Sequence, residues 1–231
     1  MSAPSGPVPS DYMSDPGRYR LGMAVARAHA AASLYHLVAA VLVELDARRV
    51  LDVGCADGVL RAALPVPGPW VVGLDRAAPL LRAHPPPTVQ ADATRMPFHA
   101  ETFDAVTALN VLYHLPDPLP ALRAAHRVLR PGGHAVVSAI ARDDSPELAA
   151  YWVRASTPSD AEEAPALVGR VFREVAVHRW DAPLVTLPDG RAVRDYLLGR
   201  QAPSAVAERA AAELPVPLTV TKRGALLVAR R

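Results

Sequence analysis

The sequence predicts an α/β fold around a doubly wound parallel sheet, and three observations carry that expectation. Residues 49–60, RVLDVGCADGVL, place β-favouring Val50, Leu51 and Val53 before a turn of small residues and a helix-like start at Val59 and Leu60. Apolar runs at 70–75, 88–91, 103–110 and 134–140 then alternate with segments of helical character. The 231 residues, 51% of them hydrophobic, suffice for one sizeable core with a small elaboration and are too few for two full domains.

Taken in order, residues 1–17 are rich in Pro, Ser, Gly and Asp and read as a flexible arm, with one domain over 18–231. Residues 18–32 are Ala- and Arg-rich and helical in character. Leu34, Leu37, Val38, Val41, Leu42 and Leu45 recur at helical spacing and give one apolar face to lay on the sheet. The second strand, 70–75, ends on Asp75 and leads into a short helix over 79–82. Pro85, Pro86 and Pro87 force a loop before the third strand, 88–91, which stops at Asp92. The fourth strand, 103–110, runs into Asn110-Val111-Leu112-Tyr113-His114. Asp117 and Pro118 supply an N-cap and a first-turn proline for a helix with Leu119, Leu122, Ala125 and Leu129 on its apolar face. Pro131, Gly132 and Gly133 end it before the fifth strand, 134–140. Beyond that, 143–164 reads as one or two helices, and 171–180 as a strand broken by Trp180-Asp181-Ala182-Pro183. Residues 189–200 and 204–214 read as helices, the second capped by Ser204, and 218–230 as a strand pair or one long strand near Gly224.

Composition narrows the chemistry. The net charge is +2, Lys222 is the lone lysine, and the arginines are scattered among acids, a solvated-surface pattern that argues against nucleic-acid binding. Cys55 is the only cysteine, which excludes an internal disulfide and a zinc site built on several thiolates. No pair of histidines is spaced beside an acid for a metal, so no metal is expected. The N-terminus lacks a leader pattern, and the longest apolar run, 37–43, falls far below the ~18 residues of a membrane span. A cytoplasmic protein is the expectation.

The turn after the first strand is a nucleotide-binding device: its glycines admit a ligand against the backbone, and the helix start presents unpaired N–H groups. Asp52, two residues before Gly54, would repel a dinucleotide pyrophosphate and suits a ligand carrying an amine. Asp75 follows Gly54 at near the ~20-residue spacing of a ribose-binding acid. Capping the next helix is its other reading, and both roles can coexist. An NAD-type turn is disfavoured, because Val59 and Leu60 follow Gly58 and no third glycine is correctly spaced.

Asp52, Gly54, Ala56 and Gly58 resemble motif I, D-x-G-x-G-x-G, of the class I S-adenosylmethionine (SAM) dependent methyltransferases, with alanine at the middle glycine. RVLRPGGHAVVS resembles the segment before the fifth strand of that group. The resemblance covers 50–140 and implies a Rossmann-like seven-stranded sheet, mostly parallel with the last strand antiparallel. It implies core motifs over 48–140 and a helical cap with substrate elements over 141–214. It further implies SAM as cofactor and S-adenosylhomocysteine (SAH) as product. Asp52 would hold the methionyl amine, and Gly54, Cys55 and Ala56 would line the turn, Cys55 through its backbone. Asp75 would take the ribose with Arg76 beside it, Leu80 the adenine face, Asp92 and Ala93 the adenine edge, and Asn110 a place by the reacting methyl. His114 is the candidate general base; orienting the loop is its plainer role. His126 and His134 read as structural or exposed. An N-terminal segment closes over the cofactor in the family, so Tyr12, Tyr19, Tyr35 and His36 are lid candidates, with surface or core packing as the plainer reading. Tyr151, Trp152, Trp180 and Tyr196 are candidates for lining the acceptor pocket or for core. The implied activity is methyl transfer to O, N or C of a small molecule, natural-product tailoring included. The alternatives are an rRNA or tRNA methyltransferase and a SAM-binding protein without methyl transfer. Monomer and homodimer both stay open.

Overall fold

The computed structural model describes Tyr12 and residues 15–231, so most of the arm expected over 1–17 lies outside the described residues. Its last two residues belong to a helix instead. The Asp15 carboxylate accepts the Arg18 N–H at 2.9 Å, and Pro16 opens α1, Pro16–His29. A carboxylate cap followed by a first-turn proline nucleates a helix there.

Seven strands, β1 Arg49–Val53, β2 Trp70–Asp75, β3 Thr88–Gln90, β4 Phe103–Ala108, β5 Leu129–Ile140, β6 Glu174–Leu187 and β7 Leu218–Arg230, form one sheet in the order β3-β2-β1-β4-β5-β7-β6. β1 to β5 pair in parallel, and β7 runs antiparallel to both β5 and β6. The doubly wound sheet and its single reversed strand are therefore as the sequence implies. Helices cover both faces, which is why β4 is buried at all six positions. α2, Leu34–Glu44, lays Val38, Ala39 and Leu42 against Val50, Val71, Ala105 and Val136. α3, Val59–Ala63, and α4, Ala78–Leu81, follow β1 and β2. On the other face α5, Leu119–Val128, buries Ala121, Leu122, Ala125 and Val128 with Leu51, Val106 and Val137.

Beyond residue 140 the main departures from expectation have identifiable reasons. Residues 143–164 hold no α-helix before α6, Ala164–Gly169, only a 3-10 turn at Pro146–Leu148. Side chains there compete with helical hydrogen bonds: buried Asp160 accepts from Ser156 Oγ, Thr157 N, Thr157 Oγ1 and Arg154 Nη2. β6 also runs straight through the expected break, pairing with β7 from Glu174 to Leu187 with an irregularity between Pro183 and Val185. Proline is tolerated because β6 is an edge strand. β7 is one long strand rather than a pair.

The segment between β6 and β7 holds α7, Gly190–Gly199, and α8, Ser204–Glu213. Asp189 caps α7 by accepting the Ala192 N–H at 2.8 Å, and the cap of α8 falls at Pro203 rather than at Ser204. Their cluster joins Val193, Tyr196, Leu197 and Ala207 to Leu148, Leu187 and Val220, with Val25 of α1 beside them. α1 crosses α7 where a Cβ on Gly199 would lie 2.8 Å from the Gly22 Cα. Gly199→Val is therefore expected to force the two helices apart and destabilise by about 1–3 kcal/mol. At about 2–4 °C per kcal/mol, a lowered melting temperature in calorimetry checks this, and an unchanged one contradicts it. No helix among the described residues is long and apolar enough to cross a membrane.

Candidate active site

The strand order reverses direction between β1 and β4, and an open α/β sheet forms its ligand crevice at the carboxyl ends of such strands. The turn after β1 lies in that crevice. Gly54 has φ +70°, and a Cβ there would come 2.1 Å from a Val111 methyl, so only glycine lets the 110–114 loop approach so closely. Ala56 is also left-handed, at φ +47°, where an L side chain costs about 1–2 kcal/mol. Its N–H donates to Asp75 Oδ2 at 2.9 Å, while the Ala77 N–H donates to Asp75 Oδ1 at 2.8 Å. Asp75 thus staples the turn after β1 to the turn after β2, and each oxygen keeps further acceptor capacity.

Asp52 stands within β1 and is 4% exposed. Thr107 Oγ1, from the neighbouring β4, donates to its Oδ1 at 2.6 Å. No cationic side chain pairs with it among the described residues. Burial pushes its carboxyl up to about 7, against the Thr107 hydrogen bond, and the Asp75 charge adds to the rise. A buried acid without a counter-charge, opening onto a glycine turn, is a fit for an ammonium group.

Asp92 follows β3, and its Oδ1 accepts the Thr94 N–H and hydroxyl at 2.8 and 2.7 Å. Those bonds hold its carboxyl below the usual range, so it stays ionised. Ala93 packs partly against the main core. Arg76 is exposed, and its carbonyl accepts from the Gln90 amide. Leu80 is buried against Ala56 and Ala77, and Tyr12 and Tyr19 pack over the same three residues. Tyr19 donates to Asp57 at 2.8 Å. Cys55 is buried, and burial together with the Asp52 and Asp75 charges pushes its thiol far up, so it is no nucleophile. Asn110 adopts φ +57°; its N–H donates to Ser138 Oγ at 2.8 Å, and its side chain meets the Tyr35 hydroxyl.

His114 ends a 3-10 turn, Leu112–His114, with its ring 5.4 Å from that of Tyr12 and 4.3 Å from that of Tyr113. Tyr12, Tyr19 and Tyr35 thus gather at the crevice, whereas His36 is exposed. His126 packs near Phe172, and His134 lies within β5. Tyr196 is 1% exposed inside the cap, and Tyr151 and Trp152 pack on the same cluster. Trp180 covers Gly224 on the antiparallel β6–β7 pair. Asp160, Glu162 and Glu163 gather their oxygens within 4.8 Å, but Arg142 and Arg154 answer that charge. The sequence reading missed Thr107 and Ser138, although each is a polar residue interrupting a buried strand run, which is a readable signal.

Residues 51–137 match the model of the family described as "Methyltransferase domain". Over 113 residues the chain is 37% identical to a ubiquinone biosynthesis O-methyltransferase of Marinobacter nauticus, and over 114 residues 39% identical to that of Pseudomonas putida; each match covers 44% of this chain and 48% of the relative. The chain thus matches about half the length of these curated relatives. The fold is shared with a SAM-dependent methyltransferase of Thermotoga maritima described as a possible histamine N-methyltransferase (TM-score 0.64, 16% identity, 95% of this chain and 97% of that one). It is shared too with the [4+2]-cyclase SpnF (TM-score 0.62, 17% identity, 99% of both chains). Residues 51–137 are thus similar to a methyltransferase domain, and the chain as a whole shares the fold of these solved structures.

Proposed function

We propose that this protein transfers a methyl group from SAM to an oxygen of a small molecule. The observation that carries the reading is the buried, cation-free Asp52 at the reversal point of the sheet, beside the Gly54 turn. When bound, this cofactor supplies a sulfonium methyl that is electrophilic at carbon. The chain's own residues do the rest. Asp52 takes the ammonium, and Asp75 accepts ribose hydroxyls with the lone pairs that Ala56 and Ala77 leave unused. Asp92 and the Ala93 N–H meet the edge of the base, and Leu80 its face. Core motifs over 48–140 hold the cofactor, and 141–214 with α1 build the acceptor side. Tyr12 and Tyr19, packed over Ala56, Ala77 and Leu80, exclude water from the crevice. Holding the reactants in line is worth up to about 7–11 kcal/mol, more than one proton-transfer group supplies. In this reading His114 removes the acceptor hydroxyl's proton.

Methyl-labelled SAM incubated with the protein and a metabolite extract tests this: label is expected in a small molecule, with SAH formed in equal amount. Because a [4+2]-cyclase shares the fold, label transfer is the deciding readout. SAH binding without transfer would favour the non-methylating alternative. His114→Ala is expected to lower kcat by about 100- to 10,000-fold while leaving the SAH Kd within about twofold. Unchanged turnover assigns His114 to packing alone.

A further inference from the structure

Thr107 interrupts a stretch of β4 that is otherwise apolar from Ala105 to Ala108, and it is fully buried. Valine has the same shape and favours a strand equally, so a hydroxyl sealed at this position needs an answering group. The parallel ladder supplies one. Thr107 stands directly beside Asp52, and its Oγ1 lies 2.6 Å from Asp52 Oδ1, against 3.5 Å from the Leu51 carbonyl. A hydroxyl has one proton to give, and 2.6 Å is the separation of a hydroxyl from a charged carboxylate. Asp52 Oδ2 accepts no hydrogen bond among the described residues, so this pairing leaves one oxygen for an incoming donor.

The rest of the surroundings works against a charge on Asp52. Asp75, at the end of β2, is an acid that repels it. The Tyr35 phenol, from α2, and the Cys55 thiol, in the turn after β1, are pushed up by burial and bring no charge. Among these groups Thr107 alone favours the ionised form. Protonation does not strand the hydroxyl: a neutral Asp52 can donate to Oγ1 while the Thr107 proton turns to the Leu51 carbonyl. At 3.5 Å that second bond is the poorer one, so the pair is biased toward the ionised acid.

Resting on the methyltransferase reading above, we propose that Thr107 is a positioning residue for the cofactor: it turns Oδ2 of Asp52 toward the ammonium and keeps that acid ionised, so the pair, and not Asp52 alone, sets the pH range in which SAM and SAH are accepted. Thr107 acts only through Asp52. The β-branch limits its rotamers, which holds the hydroxyl in one direction.

SAH titrated calorimetrically from pH 5.5 to 9.5 into the wild type, Thr107→Val and Thr107→Ser tests this. The wild-type midpoint is expected at about pH 7. In Thr107→Val it should lie about one to two pH units higher, the shift that follows from losing one hydrogen bond to a charged group. At pH 7 the valine variant should then bind about 5- to 50-fold more weakly than wild type, and at pH 9.5 within about threefold of it. Thr107→Ser keeps the hydroxyl and should hold its midpoint within about half a unit of wild type. The ligand-free protein gives a second readout. Thr107→Val should lose melting temperature relative to wild type as pH rises from about 7 to 9, and the same change in an Asp52→Asn background should show no such pH dependence. An unmoved midpoint in Thr107→Val, or a weakening equal at every pH, overturns the proposal. A wild type that does not bind SAH overturns the cofactor reading as well, whereas normal SAH binding with an unmoved midpoint overturns this inference alone.

Discussion

Asp75→Ala is expected to raise the Kd for SAH by about 100-fold and to lower the melting temperature as well. The carboxylate accepts the Ala56 and Ala77 N–H groups, so it fixes the backbone of both turns that border the crevice. Hydrogen bonds to a charged group contribute about 1.5–3 kcal/mol each, and two such bonds lost to the ribose amount to about 100-fold or more. Two stranded N–H groups add an instability that the free protein shows without any ligand. Asp75→Asn separates these effects. Its amide oxygen replaces one acceptor, but its NH2 group faces an N–H donor, so an intermediate loss is expected in both readouts. An SAH affinity within about threefold of wild type in Asp75→Ala would refute the ribose assignment, whatever happens to stability.

The second large effect is a pH dependence written by Asp52. Its carboxyl, raised by burial from 3.8 to about 7, corresponds to about 4 kcal/mol between its two protonation states. The sign follows from where the proton sits. Because the folded value lies above the unfolded one, the native state holds more protons between pH ~4 and ~7. This residue's contribution to stability is then fully present below pH ~4 and lost as pH rises through ~7. Asp52→Asn is therefore expected to stabilise the ligand-free protein at pH 8 by as much as about 4 kcal/mol, and to change little near pH 4. Cofactor binding runs the other way, since an ammonium needs the ionised acid. Wild-type affinity should weaken below pH 7 by a factor of about 1 + 10^(7 − pH), or about 30-fold at pH 5.5 relative to pH 8, with a proton released on binding. Asp52→Asn should bind more weakly at pH 8, by about 10- to 100-fold, and lose the slope. Calorimetry in buffers of different ionisation enthalpy measures the proton directly. A wild-type affinity flat from pH 5.5 to 8 would contradict the assignment.

The acid-ended strands could be read because each motif is local: a short apolar run, a carboxylate, a turn. Asp52, Asp75 and Asp92 lie along one edge because parallel strands put all their carboxyl ends on the same side. Partners contributed by distant strands were harder to see. Thr107 meets Asp52 only because β4 inserts beside β1, and Ser138 meets Asn110 only through β4–β5 pairing. α1 and α7 cross closely where two glycines meet, a contact between residues 22 and 199 that periodicity does not encode. Pro183 misled for the opposite reason. Its local meaning is a break, but its place at the sheet edge removes the penalty.

The most direct test of the central claim is a crystal structure with SAH bound. The account predicts the ligand's amino group within hydrogen-bond reach of Asp52, its ribose on Asp75, and its base between Leu80 and the Asp92–Ala93 edge, under Tyr12 and Tyr19. SAH found elsewhere, or a crevice left empty at saturating concentration, would contradict it.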